Sequence, residues 1–300
     1  MDRPKLSLGS WAFTFGPFSN DPWPFSRVLE FIAEAGYEGV EINGFRPHPH
    51  PDDYDAAEKC KELVNEIEGY ELGISGYAPP FGEVPPAEVD SETYLRVFRK
   101  SLIFCENCGI DTLRIDTVSP PKTISPTEYD ARFKCLAKTW HLAAKEAAEM
   151  GIRLVWEFEP GFWLNKPSEV RRVVEAVDHE NFKLLFDTSH AYMGAVMGAR
   201  QTGNKELLSE GVAEYGRFLG IMVGHLHLID SDGSLHNNET STHVAFGQGN
   251  IDFANVLRAM KPVISKLRWW CIDFCFNPQT PTAGRDAVPV VRRLMEEVLR

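Results

Sequence analysis

Between Gly151 and His190 the hydrophobic and polar positions follow two periods. Leu154, Val155 and Trp156, and then Leu184, Leu185 and Phe186, form near-continuous apolar runs, the pattern of parallel strands buried on both faces. The segment between them opens with Pro167, which suits a first helical turn, and sets Val170, Val173, Val174 and Val177 at helical spacing. Both apolar runs end in acid. Glu157 and Glu159 close the first, Asp187 closes the second, and His190 follows. The unit reads as strand–helix–strand with carboxylates at the carboxyl ends of its strands, where chemistry collects in parallel α/β folds.

The same alternation runs through the chain. Further strands are predicted at Leu6–Phe13, Tyr37–Asn43, Leu72–Tyr77, Thr112–Val118, Ile221–Ile229 and Leu267–Phe276, and the fifth strand is expected to reach Glu159. Helical segments follow: Phe25 to Gly36, about Asp55–Ile67, Asp90–Gly109, a stretch reaching Met150, about Lys205–Phe218, Phe253–Met260 and Asp286–Leu299. Ser125-Pro-Thr-Glu128 is a capping box with proline at the first helical position. Ala191–Gly203 and Asp230–Asn250 are expected to be long loops that cover the site. Eight βα units over 300 residues predict the α/β class, a single (β/α)8 TIM barrel forming one domain over residues 1–300. A doubly wound open sheet would want a glycine-rich phosphate loop after the first strand, and Gly9-Ser10-Trp11 is not one.

Composition narrows the partners. A hydrophobic content of 43% supports a sizeable core. The net charge of −12 repels phosphate backbones and argues against nucleic acid. No apolar run approaches the ~20 residues of a spanning helix, and Met1–Lys5 leads into a strand without a signal-peptide core. A cytoplasmic chain that touches no membrane is expected. The six cysteines fit a reduced chain. Cys105 and Cys108 have redox-motif spacing, but they sit at a helix end and read as two half-buried thiols.

Barrel strands alternate inward and outward residues. Val155, Glu157 and Glu159 share one face of the fifth strand, His225 and His227 one face of the seventh, and Cys271, Asp273 and Cys275 one face of the eighth. Glu157, Asp187, His227 and Asp273 can therefore converge at the carboxyl mouth. Three carboxylates crowded there repel each other without a cation. One histidine with three carboxylates suits one divalent ion, Mn²⁺ first, with Mg²⁺, Co²⁺ and Zn²⁺ as alternatives. Each residue alone has a plainer reading: a strand-end aspartate as a helix cap, a strand histidine as satisfied core, and Glu41, Asn43, Arg114 and Asp116 as a self-neutralising polar layer. The recurrence of ligand types at intervals of 30, 40 and 46 residues, about one βα unit each, favours the metal.

The segments FEPGFWLNKPSE, FDTSH, GHLHLIDSDG, HVAFGQGNIDF and WWCIDF resemble the sugar phosphate isomerase/epimerase family with the xylose isomerase-like barrel. The resemblance covers most of the chain and is strongest from the fifth strand onward. It implies that Glu157, Asp187 and His227 are the family's first three metal ligands, and that His190 of Asp187-Thr-Ser-His190 touches substrate. The fourth ligand is usually a glutamate; Asp273 stands in its place, one methylene shorter. Glu157-x-x-Pro-Gly resembles the family's Glu-x-His-Pro-Gly, which favours Glu157 as ligand and puts Glu159 in the histidine position.

The implied activity is isomerisation or epimerisation of a sugar or keto-sugar, by proton abstraction beside a metal-polarised carbonyl. Glu157 or Glu159 serves one side of the substrate and Asp273 the other. His190 and His225 are expected to bind sugar hydroxyls, and Trp11, Phe13, Trp163 and Phe276 to supply apolar walls. The alternative is a lyase of the same family, of the keto-inositol or keto-sugar dehydratase type or the C-glycoside deglycosidase type. A remoter one is a metal-dependent endonuclease of the abasic-site type. Without an evident Arg/Lys phosphate clamp, a free or oxidised sugar is favoured over a sugar phosphate. The expected partners are a small-molecule carbohydrate and a second copy of the chain.

Overall fold

The computed structural model describes residues 3–82 and 84–300. Its strands are β1 (Lys5–Gly9), β2 (Gly39–Asn43), β3 (Gly73–Ala78), β4 (Thr112–Ile115), β5 (Arg153–Glu157), β6 (Phe182–Asp187), β7 (Val223–Leu228), the short β8 (Leu235–His236) and β9 (Thr240–Ser241), and β10 (Trp269–Ile272). All but β8 and β9 pair in parallel and close into a barrel in the order β1-β10-β7-β6-β5-β4-β3-β2. The helices are α1 (Phe25–Glu34), α2 (Ala57–Gly69), α3 (Ser91–Cys108), α4 (Pro126–Glu149), α5 (Pro167–Val177), α6 (Thr188–Tyr192), α7 (Gly211–Leu219), α8 (Phe253–Ile264) and α9 (Thr280–Leu299). The (β/α)8 barrel expected from the sequence is the observed fold.

The alternation of faces explains the core. Leu154 and Trp156 of β5, Leu184 and Phe186 of β6, and Trp270 and Ile272 of β10 are buried with the apolar stripes of the helices. Trp156 meets Trp140 of α4 at 5.3 Å between ring centroids. Burying each such side chain contributes about 1.5–3 kcal/mol. Half of the expected capping box forms: Ser125 Oγ accepts a hydrogen bond from Glu128 N at 3.2 Å and starts α4, while the Glu128 carboxylate pairs with Arg132. Cys105 and Cys108 are free and buried in the last turns of α3, and burial pushes the Cys105 thiol well up, which suits packing rather than redox exchange. Among the described residues no helix is long and apolar enough to cross a membrane.

Several boundaries differ from the sequence expectation, most consequentially at the carboxyl mouth. The first strand stops at Gly9 rather than Phe13, and Ser10–Phe13 form a 3₁₀ turn that folds Trp11 back over the barrel. A Cβ at position 9 would lie 2.2 Å from the Trp11 ring, so only glycine permits that fold. The fourth strand ends at Ile115, the fifth at Glu157 and the last at Ile272, which leaves Asp116, Glu159 and Asp273 on the loops that follow. Ala191–Gly203 was expected to be a long loop, and its first part is helical. There α6 runs on into a π-helical turn at Met193–Met197, because the Asp187 carboxylate accepts from His190 N at 2.8 Å and caps the helix. The seventh strand spans Val223–Leu228 alone, its preceding helix starts at Gly211 rather than Lys205, and the last helix starts at Thr280 rather than Asp286. The Asp230–Asn250 segment carries the β8–β9 hairpin.

Candidate active site and metal centre

Register brings the ligand candidates together. Asp187 of β6 pairs with His227 of β7, and Cys271 of β10 pairs with the same His227. Glu157 closes β5 opposite Leu185 of β6. Glu157, Asp187, His227 and Asp273 each offer one ligand atom, these atoms all lie within 4.8 Å of one another, and all four residues are buried. Glu157 Oε1, Asp187 Oδ2 and His227 Nδ1 have no hydrogen-bond partner among the described residues. His227 Nδ1 lies 3.1 Å from Glu157 Oε1 and 3.6 Å from Asp273 Oδ2, without hydrogen-bond geometry to either. Buried polar atoms left this way are costly. A divalent ion among them would satisfy all of them and offset the crowded carboxylates, so the residues fit the metal that the sequence implies.

The remaining atoms of these candidate ligands are held by neighbours. Asp273 Oδ1 accepts from Trp11 Nε1 at 2.7 Å and from Cys275 N at 2.7 Å, and lies 3.3 Å from His243 Nδ1. Glu157 Oε2 pairs with Arg114 at 2.7 Å, and the same guanidinium meets Asp116 at 3.1 Å. His227 Nε2 faces Glu41 Oε1 at 3.2 Å, and His225 Nε2 faces Glu41 Oε2 at 2.7 Å. Each ligand thus spends one atom on positioning and turns the other toward the shared point.

Electrostatics follows the same division. Burial pushes Glu157 up, but Arg114 and His227 override it and hold the carboxyl down at about 2. Burial, opposed by His243 and reinforced by the charges of Asp273 and Glu157, pushes Asp187 up to about 7. Burial would also raise Asp273, yet His243 and His227 hold it well below the usual carboxylate range. Glu159 is pushed up to about 8 by burial, against a hydrogen bond from Thr240 of β9. Burial pushes His190 down to about 3 and keeps it neutral.

A cavity of about 530 Å³ opens above this centre, within the usual range for small-molecule sites. Its floor includes Arg114, Asp116, Glu157, Glu159, His190 and Asp273; its mouth is ringed by Phe15, Phe45, Phe162 and Phe276. Val118, Arg200 and Phe276 on its wall all have positive φ, at 48°, 54° and 62°. For non-glycine residues this is stored backbone strain of the kind that gathers at functional sites. Trp11 and His190 line the cavity as expected. His225 does not: it is buried against Glu41. Nor does Trp163, which packs its edge on Tyr129 at 5.9 Å while Phe162 faces the cavity. Phe13 stacks on Trp23 at 4.6 Å in the outer core.

Sequence reasoning missed His243. Its neighbour Ser241 bonds His190 Nδ1 at 2.7 Å and His243 Nε2 at 3.1 Å, and links the two rings. Asp230 builds the loop that carries Ser241 and His243. Its carboxylate accepts from the backbone N–H of Ser231, Gly247, Gly249 and Ile251, and Val244 N bonds its carbonyl at 3.1 Å. A Cβ on residue 249 would lie 2.3 Å from Asp230 Oδ1. The available signal was the Gly247-x-Gly249 pair after a histidine, in a stretch that reads as polar loop.

Comparison with known proteins agrees with the geometry. The family model described as xylose isomerase-like TIM barrel matches residues 29–264. The chain belongs to that family. It is 24% identical to fructoselysine 3-epimerase of Escherichia coli O157:H7 over 251 residues, 78% of this chain and 80% of that protein. It is 26% identical to inosose dehydratase of Mesomycoplasma hyopneumoniae (strain 7448) over 193 residues, 58% of each chain. The crystal structure of a D-tagatose 3-epimerase-like protein superposes with a TM-score of 0.71 at 19% identity, covering 98% of this chain and 99% of that one.

Proposed function

We propose that this chain is a divalent-metal-dependent enzyme that isomerises or epimerises a sugar or keto-sugar by removing a proton beside a carbonyl. The observation that carries this reading is the buried cluster of Glu157, Asp187, His227 and Asp273 beneath a small-molecule cavity, with unpartnered atoms on the first three. The names of two relatives, a fructoselysine 3-epimerase and a D-tagatose 3-epimerase-like protein, support it, whereas that of the third, an inosose dehydratase, supports the elimination reading below. The oxygen-rich donor set favours Mn²⁺, which when bound polarises a carbonyl and its neighbouring hydroxyl and acidifies the intervening C–H. Glu159 is the group that moves the proton. It lines the cavity outside the ligand set, and a carboxyl near 8 can both take and return a proton close to neutral pH. His190, neutral and oriented by Ser241, presents Nε2 toward Glu157 and Glu159 at 4.0 and 3.9 Å, where a substrate hydroxyl would bond to it.

Asp273 is a poor second base. Trp11 and Cys275 N saturate Oδ1, and Oδ2 faces the ligand point. Inversion of one carbon through two bases on opposite faces is therefore disfavoured relative to proton transfer between adjacent carbons. The same pinning favours a second reading, elimination: Glu159 takes the C–H proton and delivers it to the hydroxyl on the next carbon, whose C–O bond breaks as water leaves. NMR in D₂O across a panel of sugars and keto-sugars with Mn²⁺ separates these outcomes. Metal-dependent C–H exchange with an isomer as product supports the first reading, and exchange with loss of water supports the second. No exchange with any member of the panel would count against both.

A further inference from the structure

The structure assigns Glu41 a role that its position in the first half of the barrel hides. We infer that Glu41 is the positioning residue for the metal centre: it holds the ring proton of His227 on Nε2 and thereby frees Nδ1 as the ligand atom. The inference rests on the metal reading above. An imidazole can ligate only through an unprotonated nitrogen, and which nitrogen that is depends on the hydrogen bond made by the other. Here the two nitrogens of His227 see different surroundings. Nε2 faces the Glu41 carboxylate at 3.2 Å; Nδ1 faces Glu157 and Asp273 and has no hydrogen-bond partner. A carboxylate accepts only, so Nε2 must be the protonated nitrogen. His225 completes the device by donating to the other Glu41 oxygen at 2.7 Å, which fixes the carboxylate plane.

The backbone is arranged for this contact. Glu41 lies on β2 and His227 on β7, with β1 and β10 between them around the barrel wall, so the carboxylate reaches across the interior. The pairing of β2 with β3 shifts register between Val40 and Glu41, a local irregularity of the kind that re-aims a side chain. The adjacent β3 position is Gly76, where a Cβ would lie 3.3 Å from Glu41 Cδ. A side chain there would crowd the carboxylate. Glu41 is 1% exposed, does not line the cavity and is absent from the four-residue ligand group, so neither substrate contact nor ligation to that group explains it.

The test begins with the wild-type protein loaded with Zn²⁺, which is silent magnetically. Proton–nitrogen NMR should show the His227 ring proton on Nε2, slow to exchange and hydrogen-bonded. A ring proton on Nδ1 would overturn the proposal without any variant. Glu41→Met then removes the acceptor at similar volume. Its affinity for Mn²⁺, titrated calorimetrically, should fall about 10–100-fold, the usual effect of losing such a partner, while circular dichroism shows an intact fold. A folded Glu41→Met protein that binds Mn²⁺ as tightly as wild type would also overturn the proposal. Failure of the wild-type protein to bind either metal would instead remove the metal reading on which it stands. His225→Phe, which leaves Glu41 in place, should weaken Mn²⁺ binding by less than Glu41→Met; a larger loss would assign the role to His225.

Discussion

The two halves of the barrel contribute to the same centre in different ways. β5, β6, β7 and the loop after β10 supply the atoms that face the ligand point: Glu157, Asp187, His227 and Asp273. The first half supplies side chains that hold three of them from other strands, Trp11 on Asp273, Glu41 on His227 and Arg114 on Glu157, while the second half adds mainly contacts from nearby backbone N–H groups. A ligand is recognisable by residue type and strand-end position. A positioning group is recognisable only through its partner on another strand, adjacent for Arg114 and Trp11 and across the barrel for Glu41. The two halves should therefore respond differently to substitution: changes in the second half act on metal and chemistry directly, and changes in the first act through stability and affinity.

The largest effect expected on chemistry comes from Glu159→Gln. Glu159 is outside the ligand group, so the variant should keep its metal while substrate C–H exchange falls about 10²–10⁴-fold. Undiminished exchange, followed by NMR in D₂O, would move the proton transfer to another residue. Next comes Arg114→Met in the first half. It leaves Glu157 and Asp116 without their cation in a buried setting, and breaking such a pair costs about 3–5 kcal/mol. Urea unfolding of the metal-free protein should show a loss of that order, and a smaller one with Mn²⁺ bound, because the ion takes over part of the charge compensation. Equal losses in both states would place the ion elsewhere. The smallest effect is graded with pH. In the metal-free protein burial, with Asp273 and Glu157 nearby, holds the Asp187 proton up to about pH 7, and this proton must leave before the carboxylate can ligate. Mn²⁺ affinity should fall roughly tenfold per pH unit below 7 from this one proton and level off above it. A flat profile between pH 5 and 8 would mean that Asp187 is already ionised without metal.

Much of this was legible in the sequence, and the division between the halves explains what was not. The eight apolar runs and their helical connections specify the barrel, since period and length are local properties of the chain. The convergence of Glu157, Asp187, His227 and Asp273 was legible because acids and a histidine recur at strand ends one βα unit apart. His225 was read as a substrate contact because it shares a strand face with His227; the structure turns it toward Glu41 on β2, a long-range contact that no local pattern records. Trp163 was read as a wall, but the chain turns Phe162 to the cavity. Strand ends were overextended at Phe13, Glu159 and Phe276 because apolar residues continue past the last paired position, into turns that wrap the mouth. Asp187 shows the plainer reading directly, capping α6 through Oδ1, and leaves Oδ2 without a partner in the cluster, free for the other.

The central claim, one divalent ion held by Glu157, Asp187, His227 and Asp273, is tested most directly by elemental analysis combined with Mn²⁺ titration of wild type, Asp187→Ala and His227→Ala. The account predicts one ion per chain in the wild type, removable by EDTA and restored by Mn²⁺, and no stoichiometric ion in either variant while both remain folded by circular dichroism. Full metal content in the folded variants, or a wild-type chain that takes up no divalent ion, would contradict it.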